Sequence, residues 1–311
     1  MNRVRAAVIG AGYLGRYHAQ KYASMEDVEL LGVVDTDFPR AETVAAEVGT
    51  RGYASIEDLP ARPDAVSVAV PTTVHAEVSI PLLKQGIDVL VEKPISANLA
   101  EARAIIEAAD AGDAKLQVGH LERFNPALVS LAGEIRNPMF IEAHRISPFK
   151  ARGADVDVVL DLMIHDIDII LSLVPSEVSS IESVGVPVLT DSVDIANARI
   201  RFRSGCIANV TASRVSADTM RKIRIFQSNS YISIDFAKAS VEVFTLDEHR
   251  HISHNHLAMS ESDALGAEIR SFVDAVKGVS PVHVDGRAAY SALEVACTIK
   301  EAMIIPKEPT P

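Results

Sequence analysis

The first 35 residues carry the pattern that most restricts how this chain can fold. An apolar strand from Val4 to Ile9 runs directly into the turn Gly10–Gly15, which has the spacing G-x-G-x-x-G. A helical stretch and a second apolar strand, Val28 to Val34, follow, and Asp35 stands twenty residues beyond the last glycine. These parts in this order predict a βαβ unit that binds a dinucleotide.

Each residue of this unit has an expected task. Gly10 allows the tight turn, Gly12 lets a pyrophosphate approach the backbone, and Gly15 lets the helix pack closely on the strand. The first N–H groups of the helix face the phosphates. Asp35 is expected to bind the ribose hydroxyls and to repel a 2′-phosphate, which favours NAD over NADP, with Arg40 as the one local cation that opposes this. The predicted cofactor residues of the unit are Gly10, Gly12, Tyr13, Leu14, Gly15 and Asp35.

Charge and composition exclude several classes of function. The chain has 30 Lys and Arg against 42 Asp and Glu, a net charge of −12, which argues against nucleic acid and anionic membranes as partners. An apolar fraction of 48% supports proper cores. No apolar run reaches the roughly 18 residues of a membrane span. Two cysteines, Cys206 and Cys297, are too few for a disulfide framework, so we expect reduced thiols in a cytoplasmic protein.

The order of predicted strands and helices along the chain indicates two domains of different fold class. Strands and helices alternate up to residue 121, which predicts an α/β Rossmann domain with a doubly wound parallel sheet over residues 1–121. Residues 122–305 contain a long apolar helix, a run of strands and two closing helices, which predict an α+β domain with a largely antiparallel open sheet for substrate binding and oligomerisation. The end of the chain from Ile304 to Pro311, which contains three prolines, is expected to be loose, and residues 306–311 are assigned to a tail outside the second domain.

Two further segments follow strands of the predicted parallel sheet. Glu92-Lys93-Pro94 ends one strand, and ligands bind outside the carboxyl ends of such strands. We therefore interpret Lys93 as an acid/base residue facing the cofactor and Glu92 as cofactor-binding, with a surface lysine as the alternative. Pro71, Thr72 and His75 follow another strand and are expected to contact the nicotinamide end, although His75 also fits a simple helix start.

The apolar helix predicted over 157–174 carries a polar stripe, which is formed by Asp157, Asp161, His165 and Asp168. A polar stripe on a buried helix needs partners or a cavity. We prefer a His–Asp acid/base pair in which Asp161 orients His165. The alternatives are a satisfied core network and a metal site, but no further His or Cys nearby completes a ligand set, so we expect no essential metal.

Polar residues also cluster near the predicted domain border. We expect His120, Arg123 and Asn125 to bind the substrate, with a hinge salt bridge as the alternative for this segment. Four histidines between His249 and His256 are interpreted as a solvated loop rather than a metal site. An open sheet with one face uncovered by its own helices predicts a homo-oligomer, a dimer or a tetramer, although its arginine-rich strands weaken this prediction.

Together these motifs resemble the Gfo/Idh/MocA oxidoreductases, which include glucose–fructose oxidoreductase and inositol dehydrogenase. The resemblance covers the whole chain through the glycine fingerprint, Glu92-Lys93-Pro94 and Asp161-x-x-x-His165. The family has a glycine-rich run before that aspartate, of which the segment 152–157 keeps one glycine. The resemblance implies that Lys93 and His165 act around the reacting alcohol, with NAD as cofactor.

Within the family, the segment from Gly119 to Pro126 is most similar to the branch that acts on UDP-N-acetyl sugars and oxidises the 3-hydroxyl to a ketone. We therefore expect a sugar or sugar-nucleotide substrate. A dehydrogenase of another polyol, such as inositol or a free hexose, is the alternative. A non-catalytic dinucleotide sensor is an alternative of another class, but such a sensor has no use for Lys93, His165 and Asp161 together.

Overall fold

The computed structural model describes residues 3–149, 157–259 and 263–306. By contacts between Cα atoms, the chain forms two compact units. The first unit runs up to Leu121 and includes Asp263–Tyr290, and the second consists of Glu122–Ser262 and Ser291–Pro311. The predicted glycine segment 152–157 lies outside the described residues except for Asp157, and the predicted tail is described only at residue 306.

The first unit is a Rossmann fold, as the strand and helix alternation predicted. Six parallel strands lie in the order β3-β2-β1-β4-β5-β6, the strand order of a dinucleotide-binding sheet. The strands are β1 Val4–Ile9, β2 Val28–Val34, β3 Gly52–Tyr53, β4 Ala65–Val68, β5 Asp88–Glu92 and β6 Leu116–Gly119. The helices between them are α1 Tyr13–Ala23, α2 Phe38–Glu47, α3 His75–Lys84 and α4 Leu99–Gly112.

A late segment of the chain completes the core of this first unit. Helix α7 is formed by Ala264–Val276, and its Ile269, Phe272 and Val273 pack with the core residues of β1 and α1. Asp27 anchors the same helix, since it accepts from Arg270 and Lys277, both at 2.8 Å. The prediction that residues 122–305 form one continuous second domain is therefore wrong for this segment. Burial of its apolar face on the N-terminal core overrides its position in the sequence.

The second unit contains a mixed, mostly antiparallel sheet in the order β14-β13-β12-β11-β7-β10-β9-β8-β15, so the predicted α+β class is confirmed. Only the β7–β10 and β8–β15 pairs of its strands are parallel. The strands are β7 Phe140–Ile146, β8 Val178–Val186, β9 Ile195–Phe202, β10 Ile207–Ser213, β11 Met220–Gln227, β12 Ser230–Asp235, β13 Ser240–Leu246, β14 Ile252–Ala258 and β15 Met303–Ile304.

Two predictions at the edges of this sheet are wrong. The histidine-rich stretch is not a loop, because Ile252–Ala258 pairs antiparallel with β13 as an exposed edge strand. Met303–Ile304 pairs with β8, so Ile304 is not part of a loose tail. In both cases backbone pairing with a distant strand decides the structure, and the local composition gives no signal of it.

The helices of the second unit are α5 Pro126–Val129 and α6 Ile164–Leu173, and α8 Gly286–Glu301 is divided between the two units. The predicted single helix over 157–174 instead begins with a π-helical segment, Val159–Met163, which continues as α6. The π-helical segment contains Asp161, and such segments are often found at functional sites.

Glu268 is a fully buried carboxyl in the first unit. It is 0% exposed, and among the described residues neither carboxylate oxygen has a hydrogen-bond partner. Burial, and then the negative charge of Glu92, raise the pKa of Glu268 well above its usual value. The folded protein therefore keeps this group protonated at a pH where the unfolded chain has released the proton.

This carboxyl is expected to make stability depend on pH. Its contribution is fully present below the unfolded pKa of about 4.5 and is lost as the pH rises toward the raised folded pKa. Glu268→Gln should remove a slope of at most about 1.4 kcal/mol per pH unit in the free energy of unfolding. Denaturant titrations between pH 5 and 8.5 measure it, with the exposed Glu107→Gln as the matched control. Parallel pH curves for Glu268→Gln and the unmodified protein would contradict the prediction.

Candidate active site

The glycine turn of the first unit has the close contacts that the sequence predicted. Gly10 has φ +99°, and a Cβ there would lie 2.3 Å from the Ala69 carbonyl oxygen. A Cβ on Gly15 would lie 1.7 Å from the carbonyl oxygen of Gly10. Neither position accommodates a side chain. Gly15 lets α1 pack against the end of β1, and Gly10 lets the turn approach the backbone that follows β4.

The space beside this turn fits a dinucleotide. A Cβ on Gly12 would meet nothing within 4 Å, and Gly12 is the N-cap of α1 without a side chain to cap it. The exposed helix end therefore presents backbone N–H groups and a positive dipole end to an anion. Tyr13 and Leu14, which are 58% and 41% exposed, stand at this end.

Asp35 lies at the end of β2 and is engaged by the protein itself. Its carboxylate accepts from the backbone N–H groups of Ala11 at 2.7 Å and Asp37 at 2.9 Å. The Arg40 guanidinium donates to both oxygens, at 3.2 and 2.8 Å. Burial alone would raise the pKa of Asp35, but the Arg40 and backbone hydrogen bonds hold it below its usual value. The carboxylate is therefore ionised and fixed beside the glycine turn.

The predicted Glu92-Lys93-Pro94 motif ends β5, where Glu92 is buried and Lys93 half-buried. Glu92 Oε1 lies 2.9 Å from His18 Nε2, and its Oε2 accepts from the backbone N–H of Lys93 at 3.2 Å. Burial alone would raise the pKa of Glu92, but His18 and then Lys93 hold it below its usual value. An ionised Glu92 thus fixes the backbone of Lys93, a task that differs from the direct cofactor contact predicted for it.

The polar atoms of His75 are bound to the chain itself. The ring is 1% exposed, with Nδ1 3.0 Å from the Pro94 carbonyl oxygen and Nε2 3.0 Å from the Val70 carbonyl oxygen. Burial lowers the pKa of this histidine. The ring joins the end of β4 to the Lys93–Pro94 turn, so the helix-start alternative describes its contacts better than a nicotinamide contact. Pro71 and Thr72 lie at the start of the short 3₁₀ turn Thr72–Val74.

One edge of the parallel sheet brings the predicted residues of the first unit together. Gly10, Asp35, Pro71, Lys93 and His120 each follow the carboxyl end of a parallel strand. In an open α/β sheet these ends form the ligand-binding edge. The structure therefore places the predicted cofactor segments and Lys93 at this edge of the first unit.

In the second unit, Asp161 and His165 are half-buried and lie at the junction of the π-helical segment and α6. Asp157, the first residue of the predicted polar stripe, has a structural role. Its carboxylate accepts from the backbone N–H groups of Val159 and Leu160 and pairs with Lys300 at 2.7 Å. Asp157 is thus a helix cap, and the orientation of His165 by Asp161 stays a prediction.

The segment predicted to bind substrate is largely engaged in ion pairs of the second unit. Arg123 donates to both carboxylate oxygens of Asp168, at 2.7 and 3.1 Å. Asn125 caps α5 through the Ala127 N–H and donates to Glu122. The salt-bridge alternative therefore describes Arg123, although its partner lies in the same unit rather than across a hinge. His120, in the first unit, is 1% exposed.

Sequence reasoning missed the ion pair at the centre of this network. Arg145 is 4% exposed and donates to both oxygens of Asp166 and to Glu122, over 2.9–3.0 Å. Burial alone would lower the pKa of Arg145, but Asp166 and Glu122 raise it. Asp166 is not part of the polar stripe predicted on this helix, and Arg145 belongs to a strand distant in the sequence. The period-two spacing that puts Arg145 on the same strand face as the apolar Ile141 and Ala143 of β7 was the one available signal.

Within residues 3–149, 157–259 and 263–306, no group of three or more His, Cys, Asp or Glu side chains is arranged to hold a metal ion. No helix in that part of the chain has both the length and the hydropathy needed to cross a membrane.

Two family models match this chain, one in its N-terminal part and one further along the sequence. The family model described as an oxidoreductase family with an NAD-binding Rossmann fold matches residues 4–120. The GFO/IDH/MocA C-terminal domain matches residues 99–233.

Two relatives cover much of the chain. UDP-N-acetylglucosamine 3-dehydrogenase of Acidithiobacillus ferrooxidans is 38% identical over 97% of this chain and 98% of its own. A solved structure of that enzyme superposes with a TM-score of 0.92 over the same shares of the two chains. The NAD⁺-dependent scyllo-inositol 2-dehydrogenase of Bacillus subtilis is 33% identical over 69% of this chain and 68% of its own.

Proposed function

The chain belongs to the GFO/IDH/MocA family of NAD-binding oxidoreductases, and from that premise we propose that it oxidises the 3-hydroxyl of a UDP-N-acetyl-hexosamine to the 3-keto sugar. The observation that carries the substrate is the 38% identity to the Acidithiobacillus ferrooxidans enzyme, which extends over both units. The predictions of an enzyme and of NAD as cofactor are confirmed by the family.

The chemistry requires one proton to be removed. A secondary alcohol loses hydride readily only as its hydroxyl proton departs, because the forming carbonyl needs the electrons on oxygen. NAD, when bound, supplies the hydride acceptor. We propose the glycine turn and Asp35 as the residues that hold it, and Lys93 and His165 as the residues that take the hydroxyl proton or stabilise the charge left on oxygen.

Glu92 and Asp161 are positioning residues in this proposal. Glu92 binds the backbone N–H of Lys93 and is itself held by His18. Because the backbone of Lys93 is already fixed, the lysine loses less conformational entropy when it contacts the substrate. The entropic part of the activation free energy is therefore smaller. Asp161 is proposed to orient the imidazole of His165. Arg123 and Asn125 can bind substrate only through atoms that do not take part in their hydrogen bonds to Asp168, Glu122 and Ala127.

The test is a screen for NADH formation with UDP-N-acetylglucosamine, other UDP-sugars, inositols and free hexoses. We expect turnover with the UDP-N-acetyl sugar and product mass two hydrogens below the substrate. Inositol turnover with no activity on any UDP-sugar would instead support the second candidate, a polyol dehydrogenase, which the similarity to the scyllo-inositol enzyme favours. Both cysteines are unbonded thiols, and we propose the cytoplasm as the compartment.

A row of rings on the second unit's sheet supports the proposed homo-oligomer. Neighbouring ring centroids lie 5.7, 5.1, 5.7 and 4.1 Å apart. The rings belong to strands β7, β11, β12, β13 and β14, and none is buried in the described chain. They are Phe140, Phe226, Tyr231, Phe244 and His254. An aromatic row of this length left in water is unfavourable, which supports its burial against a second copy.

Light scattering at micromolar concentration is expected to show a dimer or a tetramer. Phe244→Arg should shift the population toward the monomer, because it introduces a charge into the proposed contact. Arg203→Ala, which removes an exposed residue paired with Glu177 in the same unit, serves as the control. A monomer for the unmodified protein would refute the proposal.

A further inference from the structure

We infer that Arg40 forms a subsite for the 2′-phosphate of NADP, so that the cofactor site binds both dinucleotides and Arg40 sets their ratio. The inference rests on the proposed dinucleotide site at the glycine turn. The sequence predicts that Asp35 discriminates against NADP, and the inference reduces the effect expected of this residue.

The Asp35 carboxylate is fully occupied by donors of the protein. One oxygen accepts from Ala11 N and Arg40 Nε, and the other from Asp37 N and Arg40 Nη2. An ionised carboxylate offers about four lone-pair sites. A ribose hydroxyl can therefore donate to Asp35 only if one of these donors leaves.

Arg40 is the donor that can leave. The N–H of Ala11 belongs to the glycine turn, and that of Asp37 is fixed two residues along the chain, whereas the Arg40 side chain is 51% exposed at the surface. NAD would thus bind by exchanging the guanidinium for ribose hydroxyls on Asp35. The cost of this exchange is small, because a displaced guanidinium regains water.

NADP would use the same two residues differently. Arginine presents five N–H donors in a planar fork, and Asp35 occupies only two of them, so a phosphate can bind the others while the pair stays intact. A paired Asp35 also repels the phosphate less than a bare carboxylate would. The carboxylate of Asp37, which caps α2 through the Arg40 backbone N–H at 3.2 Å, still opposes it. We therefore expect NAD to remain preferred, but by a narrow margin.

Fluorescence titration of the purified protein with NADH and with NADPH tests this without any substrate. NADPH should bind the unmodified protein within about tenfold of NADH. Arg40→Ala should weaken NADPH by about 10–50-fold, the scale of a lost charge-assisted contact, and change NADH by less than about threefold. Arg40→Lys, which keeps the charge but not the fork, should fall between them. Arg203→Ala should alter neither affinity.

The outcomes separate this inference from the proposed function. NADH binding without measurable NADPH binding, or an unchanged NADPH to NADH ratio in Arg40→Ala, would overturn the subsite alone. Equal losses of both cofactors in Arg40→Ala would also overturn it, since they would show that Arg40 only maintains the fold of the turn. Failure of the unmodified protein to bind either cofactor would overturn the proposed function as well.

Discussion

Lys93→Met is expected to lower kcat by about 10²–10⁴-fold while leaving NADH affinity within about threefold, the scale of a general acid/base contribution. Methionine keeps most of the length of the side chain and removes the group that would hold a proton or a positive charge. The Glu92 carboxylate accepts from the backbone N–H of residue 93, and that contact survives the substitution. The glycine turn and Asp35 are untouched, which is why cofactor binding should persist.

His165→Ala should lower kcat by a similar factor if the imidazole takes part in the proton transfer. Asp161→Asn should lower kcat by less, because an orienting residue acts only through the ring. The pH profile of kcat separates this role from a structural one, since the asparagine variant should move the apparent pKa of the rate while leaving stability unchanged.

Turnover with the UDP-N-acetyl sugar and stopped-flow NADH binding measure both series. The control is Arg203→Ala, an exposed pair partner in the second unit. Near-normal turnover of Lys93→Met on a substrate that the unmodified protein oxidises would show that this lysine is not the acid/base residue. Loss of NADH binding in the same variant would instead assign it to the cofactor.

Asp166→Ala is expected to lower the free energy of unfolding by about 3–5 kcal/mol, the range for removing one partner of a buried ion pair. The substitution leaves the Arg145 guanidinium, which is 4% exposed, with Glu122 as its remaining carboxylate partner. The guanidinium loses its two-bond partner in an interior from which water is excluded, and Glu122 replaces neither of those hydrogen bonds. Denaturant unfolding measures the loss.

A matched comparison distinguishes burial from pairing as the cause. Glu177→Ala removes the partner of Arg203 at 3.1 Å, but both side chains are exposed, so we expect a change within about 0.5 kcal/mol. Replacing Arg145 by Met and Asp166 by Leu in one protein should recover part of the loss, because both charges of this pair are removed, although Glu122 then loses Arg145 as its partner. An Asp166→Ala protein as stable as Glu177→Ala would contradict the prediction.

The sequence alone determined the parallel sheet of the first unit and its ligand-binding edge. The spacing from Gly10 to Gly15 reflects a local contact, since a Cβ on Gly15 would meet the Gly10 carbonyl oxygen within the same turn. The alternation of apolar strands with helices leaves few topologies available, because parallel strands need crossover connections of one hand. The position of Lys93 after a buried strand then placed it at that edge. Local geometry and period were sufficient for each of these predictions.

The tertiary structure alone decided which polar groups are available to a ligand. Asp35 is held by Arg40, Arg123 is held by Asp168, and the His75 ring lies between two backbone carbonyls. It also decided that α7 completes the first core and that the histidine-rich stretch is an edge strand. A side chain suited to bind a ligand is equally suited to bind its own protein. Whether such a side chain binds a ligand or another residue of the protein depends on residues distant in the sequence. These residues come close only when the apolar faces pack.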